Sequence, residues 1–254
     1  MKLTILGCGT SSGVPRIGND WGNCDPANPR NRRLRAAITV ESRDTRILVD
    51  TGPDLREQLL AAGIDHIDHV IWTHEHSDHC HGIDDLRQLY SRLDGPVPCY
   101  ARPRTLKELQ TRFAFAFKGT GPYPAYLSSN ELRRQATIGG ITVTAADMPH
   151  GAITSAALRF SHGGKIIAYT TDFTGLPAMA LECVRGADIW VVDALRRKPH
   201  PTHPHLAKTL EWIARAKPKR AILTHMDQSM DYAALAAELP KGVEPGYDGM
   251  EIEL

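Results

Sequence analysis

The stretch "WTHEHSDHCHG", Trp72 to Gly82, places His74, His76, Asp78 and His79 within six positions, between an apolar run and a segment with helical patterning. A loop at a strand end can curl so that all four side chains converge. Four metal-capable groups at this spacing suit two adjacent cations better than one tetrahedral ion. Solvated surface histidines seldom come three in six positions around an aspartate, so a metal loop is the favoured reading. Three further strand ends carry a lone group of the same kind: His150 closes "DMPH", Asp172 closes "YTTD" and His225 closes "AILTH". Each alone reads as a polar strand terminus. Together with the histidine loop they make five histidines and two aspartates, a donor set that matches a binuclear site in which one carboxylate bridges.

Outward from that loop, the pattern alternates strands and helices. Apolar and β-branched runs predict strands over 3–6, 36–42, 46–52, 69–74 and 97–101, with helices over 54–63 and 82–93. The second half repeats this grammar, with strands over 140–150, 156–172, 187–195, 220–225 and 250–254 and helices over 205–216 and 233–239. Such halves predict an α/β architecture of two packed sheets with helices outside. No linker or low-complexity tract divides residues 1–254, so a single domain is expected. Residues 102–134 hold a helical pattern over 105–117, a loop over 118–130 and five aromatics; they read as a surface insertion or as a lid over the site.

The bulk composition narrows the class. The chain has 254 residues, a net charge of +1, 42% hydrophobic and 23% charged residues, all ordinary for a globular protein. That charge gives no global field for nucleic acid or anionic membrane. The five cysteines are scattered without a C-x-x-C pair, which argues for a reducing compartment rather than a disulfide framework. With no signal-peptide core and no apolar run long enough for a membrane, the expected location is the cytoplasm.

The motif "THEHSDH", followed by His150, Asp172 and His225 at these intervals, resembles the metallo-β-lactamase superfamily. The resemblance implies an αββα sandwich with a metal site at one edge of its two mixed sheets. It implies that His74, His76 and His150 hold one metal, that Asp78, His79 and His225 hold another, and that Asp172 bridges. "GCGTSSGVP", "LVDTGPDLR", "PTHPHL" and "GYDGMEIEL" are similar to the branch that opens 5-phosphoribosyl 1,2-cyclic phosphate in phosphonate breakdown. The implied activity is hydrolysis of a small phosphodiester, cyclic esters included. Two divalent ions (Zn2+ or Mn2+) about 3.5–4 Å apart lower the pKa of a shared water, and the resulting hydroxide attacks phosphorus. His203 of "PTHPHL" falls where the resemblance puts a catalytic histidine, which protonates the leaving oxygen or contacts the phosphate; capping the following helix is its structural alternative. Asp78 and Asp172 are the carboxylates on which metal binding and hydrolysis both depend.

Two departures shape the expectation. The loop after "GVP" offers only Cys24, and Asp227 and Gln228 follow His225, so no third, structural zinc is expected. The basic, glycine-rich arm with which ribonuclease Z grips tRNA has no counterpart, which disfavours nucleic acid as a partner and tRNA 3′ processing as the activity. Asp50 in "LVDTG" is read either as a carboxylate orienting a ligand histidine or as a turn residue before Gly52. A homodimer is compatible with all of this.

The rival classes are a lactone or thioester hydrolase on the same ligands, a non-catalytic metal module, and a nucleotide-cofactor oxidoreductase. The last rests on "LGCGTSSGVP" alone. Its glycines are spaced G-x-G-x-x-x-G, and Pro15, Gly18, Gly22, Pro26 and Pro29 exclude the helix a dinucleotide fold requires next. That loop is better read as a wall of the metal site, with Ser11 or Ser12 in reach of a substrate phosphate.

Overall fold

In the computed structural model, described for residues 1–254 except 91, 92 and 94, two seven-stranded sheets lie face to face. The first sheet takes β1 (Lys2–Gly7), β2 (Ala37–Glu41), β3 (Arg46–Val49), β4 (His69–Trp72), β5 (Val97–Ala101) and β6 (Leu127–Glu131) in chain order. The second takes β7 (Gln135–Ile138), β8 (Ile141–His150), β9 (Ile153–His162), β10 (Lys165–Thr170), β11 (Ile189–Asp193), β12 (Arg220–Thr224) and β13 (Val243–Pro245), again in order. The final strand, β14 (Met250–Glu253), crosses back to pair antiparallel with β1.

Strand periodicity shows directly in the burial. Along β2, β3 and β4, Ile38, Val40, Ile47, Val49 and Ile71 face the second sheet. The alternate residues Ala37, Leu48, Val70 and Trp72 face the outer helices. Between the sheets they meet Val143, Leu158, Phe160, Ile167 and Tyr169. Each fully buried aliphatic contributes about 1.5–3 kcal/mol relative to exposure. The first sheet is covered by α1 (Leu55–Ala61), α4 (Pro103–Arg112) and α5 (Ala114–Lys118), and the second by α6 (Ala178–Val184) and α7 (Leu206–Ala216), whose Trp212 stacks on Phe173. The helix α8 (Tyr232–Glu238) packs beside β13. The short α2 (Ser77–Cys80) and α3 (Arg87–Tyr90) follow β4.

Both sheets share one design. Antiparallel hairpins open each half, and parallel strands close it: β3 to β6 in the first, β10 to β13 in the second. The carboxyl ends of those parallel strands line one edge of the sandwich, where such sheets carry their ligands.

Two local expectations differ from the structure. The end of the predicted loop 118–130 is strand β6, paired in parallel with β5; its sequence LSSNE shows no apolar alternation because it sits at the sheet edge. The predicted helix 82–93 is a 3-10 turn over Ile83–Leu86 followed by α3, with 91 and 92 outside the described residues. The helix α6 and strand β7 were not anticipated from the sequence at all.

Candidate metal centre

Six strand ends converge on this edge. Asp50 follows β3, the histidine loop follows β4, and His150 ends β8; Asp172 follows β10, Asp193 ends β11 and His225 follows β12. After β4 the chain turns through α2, whose single turn buries Asp78 and His79 while His76 stays at its exposed N-cap position. Asp50, Asp172 and His225 adopt left-handed backbone, with φ of 65°, 57° and 57°. For a non-glycine residue that conformation costs about 1–2 kcal/mol, and it persists where the surroundings over-determine it, often at functional sites.

The seven side chains fall into two groups that share one residue. His74, His76, His150 and Asp172 bring their donor atoms within 4.8 Å of one another, as do Asp78, His79, His225 and Asp172. The Asp172 carboxylate is divided between them. Its Oδ1 lies 3.9 Å from His74 Nε2 and 3.6 Å from His150 Nε2; its Oδ2 lies 3.2 Å from His79 Nε2 and 3.4 Å from His225 Nε2. Asp78 Oδ2 completes the second group, 3.3 Å from His79 Nε2 and 3.6 Å from His225 Nε2. His76 presents Nδ1, 3.1 Å from His150 Nε2.

The opposite ring nitrogens are held from behind. His79 Nδ1 donates to Asp50 Oδ2 at 2.8 Å, and His150 Nδ1 donates to the Thr202 carbonyl at 3.0 Å. The Thr73 hydroxyl donates to Asp50 Oδ2 at 2.8 Å, so it can accept only from His74 Nδ1, 3.0 Å away. Asp50 therefore orients one imidazole in each group, directly in one case and through Thr73 in the other. Such partners fix the tautomer that leaves the far nitrogen free to bind metal. Among the described residues, Nε2 of buried His74, His79 and His225 finds no hydrogen-bond partner, and all three aim at Asp172. Buried nitrogens are seldom left orphaned. The donor set fits divalent cations.

The electrostatics match that use. Burial would raise the Asp78 carboxyl, but the His79 and His225 imidazoles outweigh it and hold the group well below the usual range. Burial opposes ionisation of Asp172 too, and His225 and His79 again prevail. Burial depresses His74 well below an ordinary histidine, with His79 adding to the effect, so it stands ready as a neutral ligand. In His225, burial is overcome by Asp172 and Asp78, which raise its pKa to about 9. Two anionic carboxylates buried among imidazoles invite cations, and coordination at neutral pH would displace the His225 proton.

His203 joins the site beside the second group. Its ring stacks on His225 with centroids 4.9 Å apart, and Nδ1 donates to Asp193 Oδ2 at 3.0 Å. Asp193 also accepts the Asp172 backbone N–H at 2.9 Å, which helps hold the shared carboxylate in place. Asp193 was not singled out in the sequence, although a lone aspartate closing an apolar β run is the signal that marked Asp172. Ser11 and Ser12 do not enter the cluster. Ser12 Oγ donates to the Gly13 carbonyl at 3.4 Å, and the exposed Ser11 accepts at its carbonyl from Arg35 Nε at 3.1 Å. The opening loop nonetheless borders the site: Thr10 N–H donates to the Met226 carbonyl and Met226 N–H to that of Cys8, next to His225. Cys24 lies against the fully buried Arg33, with Nη1 3.8 Å from Sγ; that guanidinium also donates to the Asp227 and Met230 carbonyls.

With this geometry in view, relatives are informative. A family model for the β-lactamase superfamily domain matches residues 45–226. A diphosphatase from the PhnP family, known by crystal structure, is 35% identical and superposes with a TM-score of 0.90 over 100% of this chain and 97% of its own. An octanoyltransferase of Porphyromonas gingivalis is 31% identical over 261 residues, 99% of this chain and 51% of that protein. A ribonuclease Z of Bacteroides fragilis is 24% identical over 219 residues, 80% of this chain and 66% of its own length. The chain thus spans about half the length of the first of these curated relatives and under two thirds of the second.

Proposed function

The chain belongs to the β-lactamase superfamily domain family, and from that premise we propose that it is a hydrolase that cleaves a small phosphodiester with the help of two divalent ions. The observation that carries this reading is the divided carboxylate of Asp172, one oxygen toward each histidine group. In this reading His74, His76 and His150 hold one ion, and Asp78, His79 and His225 hold the other, with Asp172 shared. Imidazole-rich donors favour zinc, and the carboxylates would accept manganese as well. When bound, such ions lower the pKa of a water toward about 7 and neutralise charge on phosphoryl oxygens.

The protein's own groups do the rest. Asp50 and Thr73 keep the lone pairs of His79 and His74 aimed inward. Asp193 accepts the hydrogen bond of His203 Nδ1–H and so orients the ring, which leaves Nε2–H of the protonated imidazole as the donor to the departing alkoxide. The phosphodiester class is supported by whole-length similarity to a protein described as a diphosphatase, and by the more distant ribonuclease Z. The first of these also brings phosphoanhydrides into the substrate range.

The test pairs metal analysis of the purified chain with a substrate panel. The panel contains bis(p-nitrophenyl) phosphate, ribose cyclic phosphates, a nucleoside diphosphate, a lactone and a glutathione thioester. Turnover confined to phosphorus substrates with two metal equivalents is expected. Asp172→Ala should lose both bound metal and hydrolysis; full activity in that variant would rule out the two-ion reading.

A further inference from the structure

The geometry points to α4 as a one-sided brace, a positioning element that fixes the His74–His76–His150 half of the metal centre and leaves the other half alone. The inference rests on the two-ion reading above. Between His74 and His76 stands Glu75, a carboxylate that is 3% exposed and that no ligand role requires. Three residues of α4 hold it. Thr105, itself buried, donates its hydroxyl to Glu75 Oε2 at 3.0 Å; Arg112 Nη1 donates to the Glu75 carbonyl at 2.6 Å; Arg104 Nε lies 3.8 Å from Oε1.

The same helix start reaches the third histidine of that half from the other sheet. Arg102, the residue before α4, forms a two-pronged pair with Asp147 at 2.7 and 2.8 Å, three positions ahead of His150 on β8. Arg104 Nη1 donates to the carbonyl of Ala152, two positions after His150. One helix thus grips the backbone segments of all three histidines, across two sheets. Among the described residues, no hydrogen bond or ion pair of Arg102 or of α4 reaches Asp78, His79 or His225. Planar, bidentate arginine contacts fix orientation as well as distance, which is what a tripod of imidazoles needs.

The prediction is half-site selectivity. Zinc binding to the full chain is measured by equilibrium dialysis in two backgrounds: His225→Ala, which leaves the first half intact, and His76→Ala, which leaves the second. Thr105→Val removes the hydroxyl while keeping the side-chain shape. It should weaken zinc binding about 10–100-fold in the His225→Ala background and leave it within about twofold in the His76→Ala background. Thr105→Ser, which keeps the donor, should restore the affinity. Equal weakening in both backgrounds would reduce α4 to a general structural role, and no weakening in the first would overturn the brace outright. A wild-type chain that takes up a single zinc would count against the two-ion reading alone, since the two backgrounds still report which half α4 serves.

Discussion

At the scale of single residues, two side chains separate metal binding from chemistry. Asp50 accepts three hydrogen bonds, from Thr73 N, Thr73 Oγ1 and His79 Nδ1, each at 2.8 Å. Asparagine there would turn an N–H donor toward groups that already donate. Asp50→Asn should therefore lower zinc affinity by about 10–100-fold, read by dialysis, and it should act on both halves because Thr73 relays it to His74. His203 hydrogen-bonds Asp193 at 3.0 Å while the ligand set's common carboxylate lies farther off, at 3.7 Å, so His203→Gln should keep full zinc content. Its kcat should fall about 10²–10⁴-fold on an alkyl phosphodiester, with a smaller loss on a p-nitrophenyl ester, whose leaving group needs no proton. The converging donor groups were legible in the sequence because three histidines and an aspartate in six positions are hard to explain otherwise. Asp193, Thr73 and Glu75 were not, because their work depends on which strand ends come together, and the left-handed backbone at Asp50, Asp172 and His225 leaves no compositional trace.

At the scale of elements, the periodic ones were readable and the marginal ones were not. The buried strands β2, β3, β11 and β12 announce themselves as apolar runs, whereas β6 and β7 are short, polar edge strands held by register rather than by their own pattern. The opening loop has no such pattern either, and its shape is imposed by long-range contacts. Asp231 shows how. Its Oδ1 caps α8 by accepting from Ala234 N at 2.9 Å, while Oδ2 accepts from Asp25 N at 3.1 Å and Asn31 Nδ2 at 2.7 Å. Asp231→Ala should cost about 1–2 kcal/mol in denaturant unfolding through the lost cap. It should also open the 25–31 turn to proteolysis, since the same carboxylate pins both.

At the scale of the whole molecule, one buried carboxyl ties distant parts together. Asp248 accepts from Cys8 N at 3.0 Å and Leu34 N at 2.6 Å, contacts more than 200 residues apart in sequence that no local pattern could reveal. Burial raises its pKa to about 7 against hydrogen bonds from Leu34 and Cys8 that pull it down. The folded state therefore holds this proton more tightly than the unfolded chain, where the carboxyl titrates near about 4. Its contribution to stability is complete below about pH 4 and is lost as pH rises through about 7, a few kcal/mol at most. In thermal melts of the metal-free chain, Asp248→Asn should remove that slope: the variant gains on wild type as pH rises from 4 to 7. A difference between the two that stays constant across this window would show that Asp248 does not titrate there.

The pairing of β1 with β14 has a consequence for how the chain could be rewired. Met1 and Leu254 exchange hydrogen bonds, amino group to carbonyl at 3.1 Å and amide to carbonyl at 2.9 Å. Because β1 runs antiparallel to β2, and β2 to β3, that junction lies at the end of the first sheet opposite Asp50 and the histidine loop. A few linking residues could join the two ends and the chain be reopened at the exposed turn Arg43–Asp44, yielding a circular permutant that keeps every strand neighbour and leaves the metal-bearing edge uncut.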